Sequence, residues 1–213
     1  MARVPREPSL TRLRTLEPDT RRIANGVVVW RVYFRRGEHP TTWSDFRHVG
    51  PLDTRFDHHL VNERDEATHQ ERAVMYVADD PVTCLAEVFQ RTRVINRWHK
   101  EPWLVGFELA KTIDLLDLTG SFPTRAGASM GLMTGPRSVS RNWARGFYDG
   151  YSALAGLFYP SSMHANQPVM ALTDRAKIAG VVPAHPSFHR ALSDPSILTL
   201  LKNAARSLGY ILN

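Results

Sequence analysis

The fold is decided by the stretch Tyr76-Val77-Ala78-Asp79-Asp80-Pro81-Val82-Thr83-Cys84-Leu85-Ala86-Glu87-Val88-Phe89. Its first residues end an apolar run over 73–78 that contains β-forming residues and predicts a short buried strand. Asp80 before Pro81 is a favourable helix N-cap followed by a favourable first helical residue. Apolar residues then recur at helical spacing and predict a helix with one face on a core: Val82, Leu85, Ala86 and Phe89. Because Glu87 has apolar neighbours in the second turn, its carboxylate must either face a water-filled cleft or be buried at a cost in free energy.

The remaining chain shows short strand and helix signals without a regular βαβ alternation. Strands are predicted over residues 27–34, 103–109, 113–118, 157–159 and 168–172, and helices over 138–155 and 195–208. This mixture favours an α+β fold. Residues 1–25 contain three prolines and many charges and are predicted to be a basic, loosely ordered leader with a short helix near Leu10 to Leu16. Residues 26–213 then form a single domain.

Composition excludes several classes of protein. The 213 residues are 43% hydrophobic and 23% charged, as is usual for a globular protein, and contain one cysteine, which cannot form an internal disulfide. The basic N-terminus is not followed by an apolar run, and no stretch has the about 20 apolar residues of a membrane span. We therefore expect a cytoplasmic protein with no membrane partner. The net charge of +6 suits an anionic ligand, a nucleic acid or an acidic protein.

No self-sufficient catalytic motif is present. The sequence lacks HExxH, GxGxxG and P-loop patterns. A GxSxG match over residues 127–131 lies in a long connection without period, so it lacks the strand–turn–helix context of a nucleophile elbow. Cys84 falls in the helical stripe, which favours a buried structural thiol. His58 and His59 are adjacent and therefore diverge, so no metal site is expected even with His69 as a third candidate. Arg31 lies inside the strongest strand signal, where a buried guanidinium needs an anionic partner.

Four segments in a fixed order nevertheless resemble a known family. They are Trp30-Arg31-Val32-Tyr33, Thr54-Arg55-Phe56-Asp57, Met75-Tyr76-Val77-Ala78-Asp79-Asp80-Pro81 running into Leu85-Ala86-Glu87-Val88-Phe89, and Phe158-Tyr159-Pro160-Ser161-Ser162. Together they resemble the RES domain family over roughly residues 26 to 180. This chain differs in carrying Thr54 where members usually have glycine, and in its arginine-rich leader.

The resemblance implies a mixed, mostly antiparallel sheet with flanking helices, similar to that of ADP-ribosyltransferase toxins. It implies a toxin that uses NAD⁺ as its substrate and needs no metal, and an antitoxin partner with a helix-turn-helix DNA-binding part. The implied catalytic residues are Glu87, Arg31 and Ser161. The implied NAD⁺-binding residues are Arg31, Arg55, Tyr76, Ser161 and Ser162, and the alignment does not choose between the two serines.

These residue types suit cleavage of the nicotinamide–ribose bond. The reaction builds positive charge on the ribose, which a carboxylate stabilises, and arginines match pyrophosphate oxygens. The expected activity is therefore NAD⁺ depletion by hydrolysis or phosphorolysis. Two alternatives stay open: transfer of ADP-ribose to a protein target, and a non-enzymatic basic module that binds nucleic acid through the leader. Aromatic residues are not interleaved with the leader's arginines, so direct nucleic-acid binding is not expected.

Overall fold

The computed structural model describes residues 6–64 and 66–213. The helices are α1 (Leu10–Thr15), α2 (Pro81–Phe89), α3 (Phe122–Ala126), α4 (Gly131–Thr134), α5 (Arg137–Gly150), α6 (Asp174–Ile178) and α7 (Leu198–Leu208), with a 3-10 turn at Pro195–Ile197. The strands are β1 (Thr20–Ile23), β2 (Val28–Phe34), β3 (Arg47–Gly50), β4 (Thr68–Ala78), β5 (Val94–Ile95), β6 (Pro102–Glu108), β7 (Ile113–Asp117), β8 (Gly156–Pro160), β9 (Pro168–Thr173), β10 (Phe188–Ala191) and β11 (Ile211–Leu212). Within these ranges no helix has the length and apolar character needed to cross a bilayer.

The main sheet is mixed and mostly antiparallel. Among the described residues it contains nine strands, in the order β1-β7-β8-β9-β4-β2-β6-β10 with β3 paired along β4, while β11 and β5 form a separate parallel pair. In the main sheet the pairing of β7 with β8 is parallel, and the other pairings are antiparallel. With helices packed around this sheet, the α+β fold class predicted from the sequence is confirmed.

Alternate residues of the central strands are buried in separate cores. Val74 of β4 packs in a cluster with Trp143 and Phe147 of α5, whereas its neighbour Met75 packs in a cluster with Phe107 of β6. Successive side chains of a strand point to opposite faces, so the sheet is covered on both sides. A third cluster joins α2 and α7 to the β2–β6 end of the sheet.

The strand, tight turn and helix predicted over residues 73–89 are confirmed. β4 ends at Ala78, and the Asp80 side chain accepts hydrogen bonds from the backbone N–H groups of Val82 at 2.7 Å and Thr83 at 2.9 Å. These bonds satisfy backbone donors that a helix leaves free at its N-terminus. Leu85 and other residues of the predicted stripe are buried, so α2 is anchored by its core face and by its cap.

The described part of the predicted leader, residues 6–25, packs on the domain instead of being loosely ordered. A helix does occur where one was predicted, but its Leu13 is fully buried and the Tyr151 hydroxyl donates to the Leu13 carbonyl at 2.8 Å. β1 pairs with β7 at the edge of the sheet. Periodicity did not predict β1 because the sequence of this strand is short and charged. Residues 1–5 lie outside the described ranges, and the domain boundary at residue 26 remains a prediction.

Candidate functional site

The main sheet opens between β2 and β4. Among the described residues these two strands pair at a single position, Trp30 with Ala78, and the N-terminal part of β4 pairs with β3 instead. The space between them is a cleft with a volume of about 330 Å³, which we call the β2–β4 cleft. It is lined by residues 31–34 of β2, by the C-terminal part of β4 and by α2. This volume lies at the lower end of the range of small-molecule sites.

A second cleft of about 400 Å³ adjoins the first. We call it the arginine cleft, because Arg55, Arg91 and Arg137 line it. The two clefts share the lining residues Phe34, Thr54, Tyr76, Glu87, Val88 and Val169. Glu87 therefore lies where the two clefts meet. Of the two alternatives that the sequence left for its carboxylate, a cleft or a costly burial, the structure shows the cleft.

Glu87 is half-buried and bound to two side chains. Its Oε1 accepts a hydrogen bond from the Ser161 hydroxyl at 2.5 Å, and its Oε2 accepts one from the Gln90 amide at 3.4 Å. Burial raises the pKa of Glu87, while the bond from Ser161 and the charges of Arg55 and Arg137 oppose that rise. The site thus combines a partly desolvated carboxylate with groups that favour its ionised form.

The structure distinguishes the two candidate serines. Ser161 is buried, and its Oγ also accepts hydrogen bonds from the backbone N–H groups of Met163 and His164, each at 3.0 Å. Ser162 is exposed. A second contact fixes the same loop to α2, because His164 Nδ1 lies 2.8 Å from the Thr83 hydroxyl. Of the two, only Ser161 reaches the carboxylate.

Arg31 lines the β2–β4 cleft, and two backbone carbonyls are its hydrogen-bond partners. Its Nη1 donates to the backbone carbonyls of Trp43 at 3.0 Å and Asp45 at 2.7 Å. Burial lowers the pKa of Arg31 to about 10. Carbonyl oxygens of the loop before β3 thus satisfy Nη1 of the guanidinium, and an anionic partner for its other donors stays a prediction. The loop in turn is held against the cleft.

Two arginines flank the other side of Glu87. Arg55 Nη1 donates to the carbonyls of Leu132 at 3.1 Å and Gly135 at 3.2 Å, and burial lowers its pKa. Arg137, the first residue of α5, forms an ion pair with Asp53 at 2.7 Å. Both positive charges act on the Glu87 carboxylate. Sequence reasoning missed Arg137, because an arginine at the start of a helix carries no signal of a site formed with residues distant in the chain.

Tyr76, which the sequence analysis assigns to ligand binding, lines both clefts. Its hydroxyl lies 3.0 Å from the Thr54 Oγ1, and burial raises its pKa well above the ordinary value. Thr54 connects Tyr76 to the buried carboxylate of Asp57, which forms an ion pair with Arg47 at 2.8 Å. Asp57 and Arg47 were not predicted as site residues, since their pairing appears only when the strand and loop fold together.

The histidines considered as metal ligands have other partners. His59 Nδ1 lies 2.5 Å from Asp57 Oδ1, His58 Nε2 lies 3.4 Å from Asp174 Oδ1, and the His69 ring stacks on His48. Within residues 6–64 and 66–213, no group of three or more His, Cys, Asp and Glu side chains could hold a metal ion.

The predicted site residues thus converge in part. Arg31, Tyr76 and Glu87 line the β2–β4 cleft, and Arg55 lines the arginine cleft together with the same Tyr76 and Glu87. Ser161 joins them through its hydrogen bond to Glu87. The exposed Ser162 stands apart.

Comparison with known proteins bears on this arrangement. Residues 28–193 match the family model described as the RES domain, a range that contains every predicted site residue. No curated protein gives a match. Among solved structures, a chain of the M. tuberculosis MbcT–MbcA toxin–antitoxin complex has a similar fold, with a TM-score of 0.58 over 91% of this chain and 97% of that chain. The two sequences are 15% identical, so this likeness shows the fold alone.

Proposed function

Because the chain belongs to the RES domain family, we propose that it is the toxin of a toxin–antitoxin pair and that it depletes NAD⁺ by cleaving the nicotinamide–ribose bond. The observation that carries this proposal is the position of Glu87. Its carboxylate lies where two adjoining clefts meet, is bound to Ser161 at 2.5 Å, and is flanked by arginines.

The proposed reaction needs no acid catalyst for its leaving group and depends mainly on the carboxylate. Nicotinamide leaves NAD⁺ as a neutral molecule, so no general acid is needed, while positive charge develops on the ribose. A fixed carboxylate next to the ribose stabilises this charge and orients the acceptor. The bond from Ser161 favours the ionised form of Glu87 and fixes its direction.

The arginines supply a binding role. A guanidinium presents five N–H donors, so the bonds of one Nη1 to backbone carbonyls leave other donors for phosphate oxygens. Arg31 on one side and Arg55 with Arg137 on the other place positive charge in both clefts. This distribution suits the pyrophosphate of a dinucleotide that extends across their junction.

The proposed partner is an antitoxin with a helix-turn-helix DNA-binding part. The similar fold in the MbcT–MbcA toxin–antitoxin complex supports this proposal, as does the net charge of +6, which suits an acidic partner. Expression of the chain alone should arrest growth, and co-expression with a small helix-turn-helix protein encoded beside it should restore growth.

The enzymatic proposal is tested by incubating the purified protein with NAD⁺, with and without phosphate, and identifying the products by mass. Free ADP-ribose indicates water as acceptor, a phosphorylated product indicates phosphate, and a mass increase on protein indicates ADP-ribosyl transfer. Glu87→Gln should lower the rate by about 10²-fold or more, because the group that stabilises the transition state loses its charge. Glu108→Gln is the matched control, since Glu108 is exposed at the end of β6.

A folded Glu87→Gln protein that consumes NAD⁺ at the wild-type rate would contradict the assignment of Glu87. A wild-type protein that consumes no NAD⁺ but is retained on DNA in a salt-sensitive manner would instead favour a nucleic-acid-binding module.

A further inference from the structure

A chain of hydrogen bonds runs from a buried carboxylate to the hydroxyl of Tyr76. Asp57 is fully buried, and its Oδ2 accepts from Arg47 Nη2 and the Leu52 N–H, each at 2.8 Å, and from the Thr54 hydroxyl at 3.3 Å. The Thr54 Oγ1 also accepts from Arg47 Nη2 at 3.3 Å and lies 3.0 Å from the Tyr76 hydroxyl.

The chemistry of these groups determines the direction of the last bond. Burial alone would raise the pKa of Asp57, but the hydrogen bond to His59 and the charge of Arg47 outweigh burial and hold it well below its usual range. Asp57 is therefore an acceptor only, and arginine is a donor only. The Thr54 hydroxyl has one proton and two acceptors within reach, Asp57 Oδ2 at 3.3 Å and the Tyr76 oxygen at 3.0 Å, and the charged carboxylate is the stronger acceptor. With that proton directed to Asp57, the tyrosine proton completes the contact between Thr54 and Tyr76.

The Tyr76 hydroxyl therefore has its proton turned away from the ligand. Arg47 also donates to the Tyr76 oxygen, so the group that Tyr76 offers to a ligand in the clefts that it lines is the remaining lone pair of the phenol oxygen. Burial raises the pKa of Tyr76, so the phenol keeps its proton at neutral pH.

We propose that Thr54 and Asp57 are positioning residues that fix Tyr76 as a hydrogen-bond acceptor, so that the substrate must present a donor, an amide N–H or a sugar hydroxyl, opposite its oxygen. This inference rests on the proposed function for the identity of the substrate, NAD⁺, which carries both kinds of donor. A site built around a fixed acceptor discriminates against analogues that lack the donor.

The first test needs no ligand. The infrared C–O stretch of a phenol depends on whether its hydroxyl donates, and the band of Tyr76 is obtained by subtracting the spectrum of Tyr76→Phe. We expect this band to shift in Thr54→Val, which keeps the side-chain shape and removes the acceptor, and to return in Thr54→Ser. An unchanged band in Thr54→Val overturns the proposal. Thr54 is changed because replacing Asp57 would leave the Arg47 charge buried without its partner.

The second test is a double-mutant cycle on NAD⁺ turnover. Thr54→Val and Tyr76→Phe should each lower kcat/KM by about tenfold, the value of one hydrogen bond, and the double variant should lose no more than either single variant. Independent losses that multiply would show that Thr54 acts structurally and would overturn the proposal. A Tyr76→Phe enzyme with wild-type kinetics would overturn the proposal as well, because the aromatic ring without its hydroxyl would then be sufficient for turnover.

Substrate analogues identify the donor. Dinucleotides are compared in which the carboxamide is a carboxylate or in which the nicotinamide-side ribose lacks one hydroxyl. The wild-type preference for NAD⁺ over one of these should fall about tenfold in both Thr54→Val and Tyr76→Phe. Equal preferences in all three proteins overturn the inference. If the wild-type protein does not consume NAD⁺, the proposed function fails, while the infrared test still decides whether Thr54 sets the direction of the Tyr76 hydroxyl.

Discussion

Removal of the Ser161 hydroxyl should change both the stability of the protein and the pH dependence of its activity. In the structure this oxygen donates to Glu87 Oε1 at 2.5 Å and accepts from the backbone N–H groups of Met163 and His164 at 3.0 Å. Ser161→Ala therefore removes one hydrogen bond to a charged group and takes the acceptor away from two backbone donors.

The magnitude follows from those bonds. A hydrogen bond to a charged group contributes about 1.5–3 kcal/mol, and a buried donor left without its acceptor costs about 1–3 kcal/mol. Ser161 is 1% exposed, but the loop is also tied to α2 through His164 and Thr83, so part of the loss can be recovered by water or by rearrangement. We expect the free energy of unfolding to fall by about 2 kcal/mol, measured by urea denaturation.

The sign of the pH effect is fixed by the direction of the pKa change. The bond from Ser161 lowers the pKa of Glu87, and its loss therefore raises that pKa further. Because the carboxylate is the active form, the acidic limb of the kcat/KM profile should move to higher pH in Ser161→Ala, and the deficit should shrink as the pH rises. The assay is NAD⁺ consumption across the pH range.

Ser162→Ala is the matched control, because Ser162 is adjacent in sequence and exposed. It should leave both the stability and the pH profile unchanged. An acidic limb in Ser161→Ala that coincides with the wild-type curve would refute the reasoning, since the serine would then have no electrostatic effect on the glutamate.

Three further predictions concern stability and binding. Leu13→Ala should lower the free energy of unfolding by about 2–5 kcal/mol because Leu13 is fully buried, whereas Leu10→Ala, at a position 37% exposed, should have little effect; equal effects in denaturant melts would show that α1 does not pack as described. The folded-state pKa of Asp57 lies below its unfolded value, so its contribution to stability is complete above the unfolded pKa and is lost as the pH falls below about 4. Asp57→Asn should therefore reduce the slope of unfolding free energy against pH in that acidic range, and an unchanged slope counts against the buried network. Arg137→Gln should raise the KM for NAD⁺ more than it lowers kcat, and its effect should weaken in high salt; a change in kcat alone would place Arg137 outside substrate binding.

Local signals in the sequence were sufficient to predict α2, the helix that carries Glu87. Asp80 and Pro81 mark the start of α2, and the apolar stripe identifies its buried face, so the amino-acid pattern alone limited Glu87 to a cleft or a costly burial. The strand containing Arg31 was equally clear, because β-branched and aromatic residues dominate it.

The sequence did not predict the contacts between residues that are distant in the chain. The partners of Arg31 are carbonyls of a loop whose course no periodicity describes, and the choice between Ser161 and Ser162 depends on the geometry of a turn. β1 and β3 are four residues long, which is too short for a reliable alternation of apolar and polar residues. Arg137 approaches the site only because α5 packs across the sheet.

The order of strands in the sheet has a consequence for synthesis of the protein. β9 (Pro168–Thr173) lies between β4 and β8, and β8 leads directly to Ser161. A ribosome-bound chain that already includes Glu87 cannot complete the sheet until β9 has left the exit tunnel. The proposed active site is therefore incomplete while β9 is still inside the tunnel, because the strand that leads to Ser161 has not yet paired with β9.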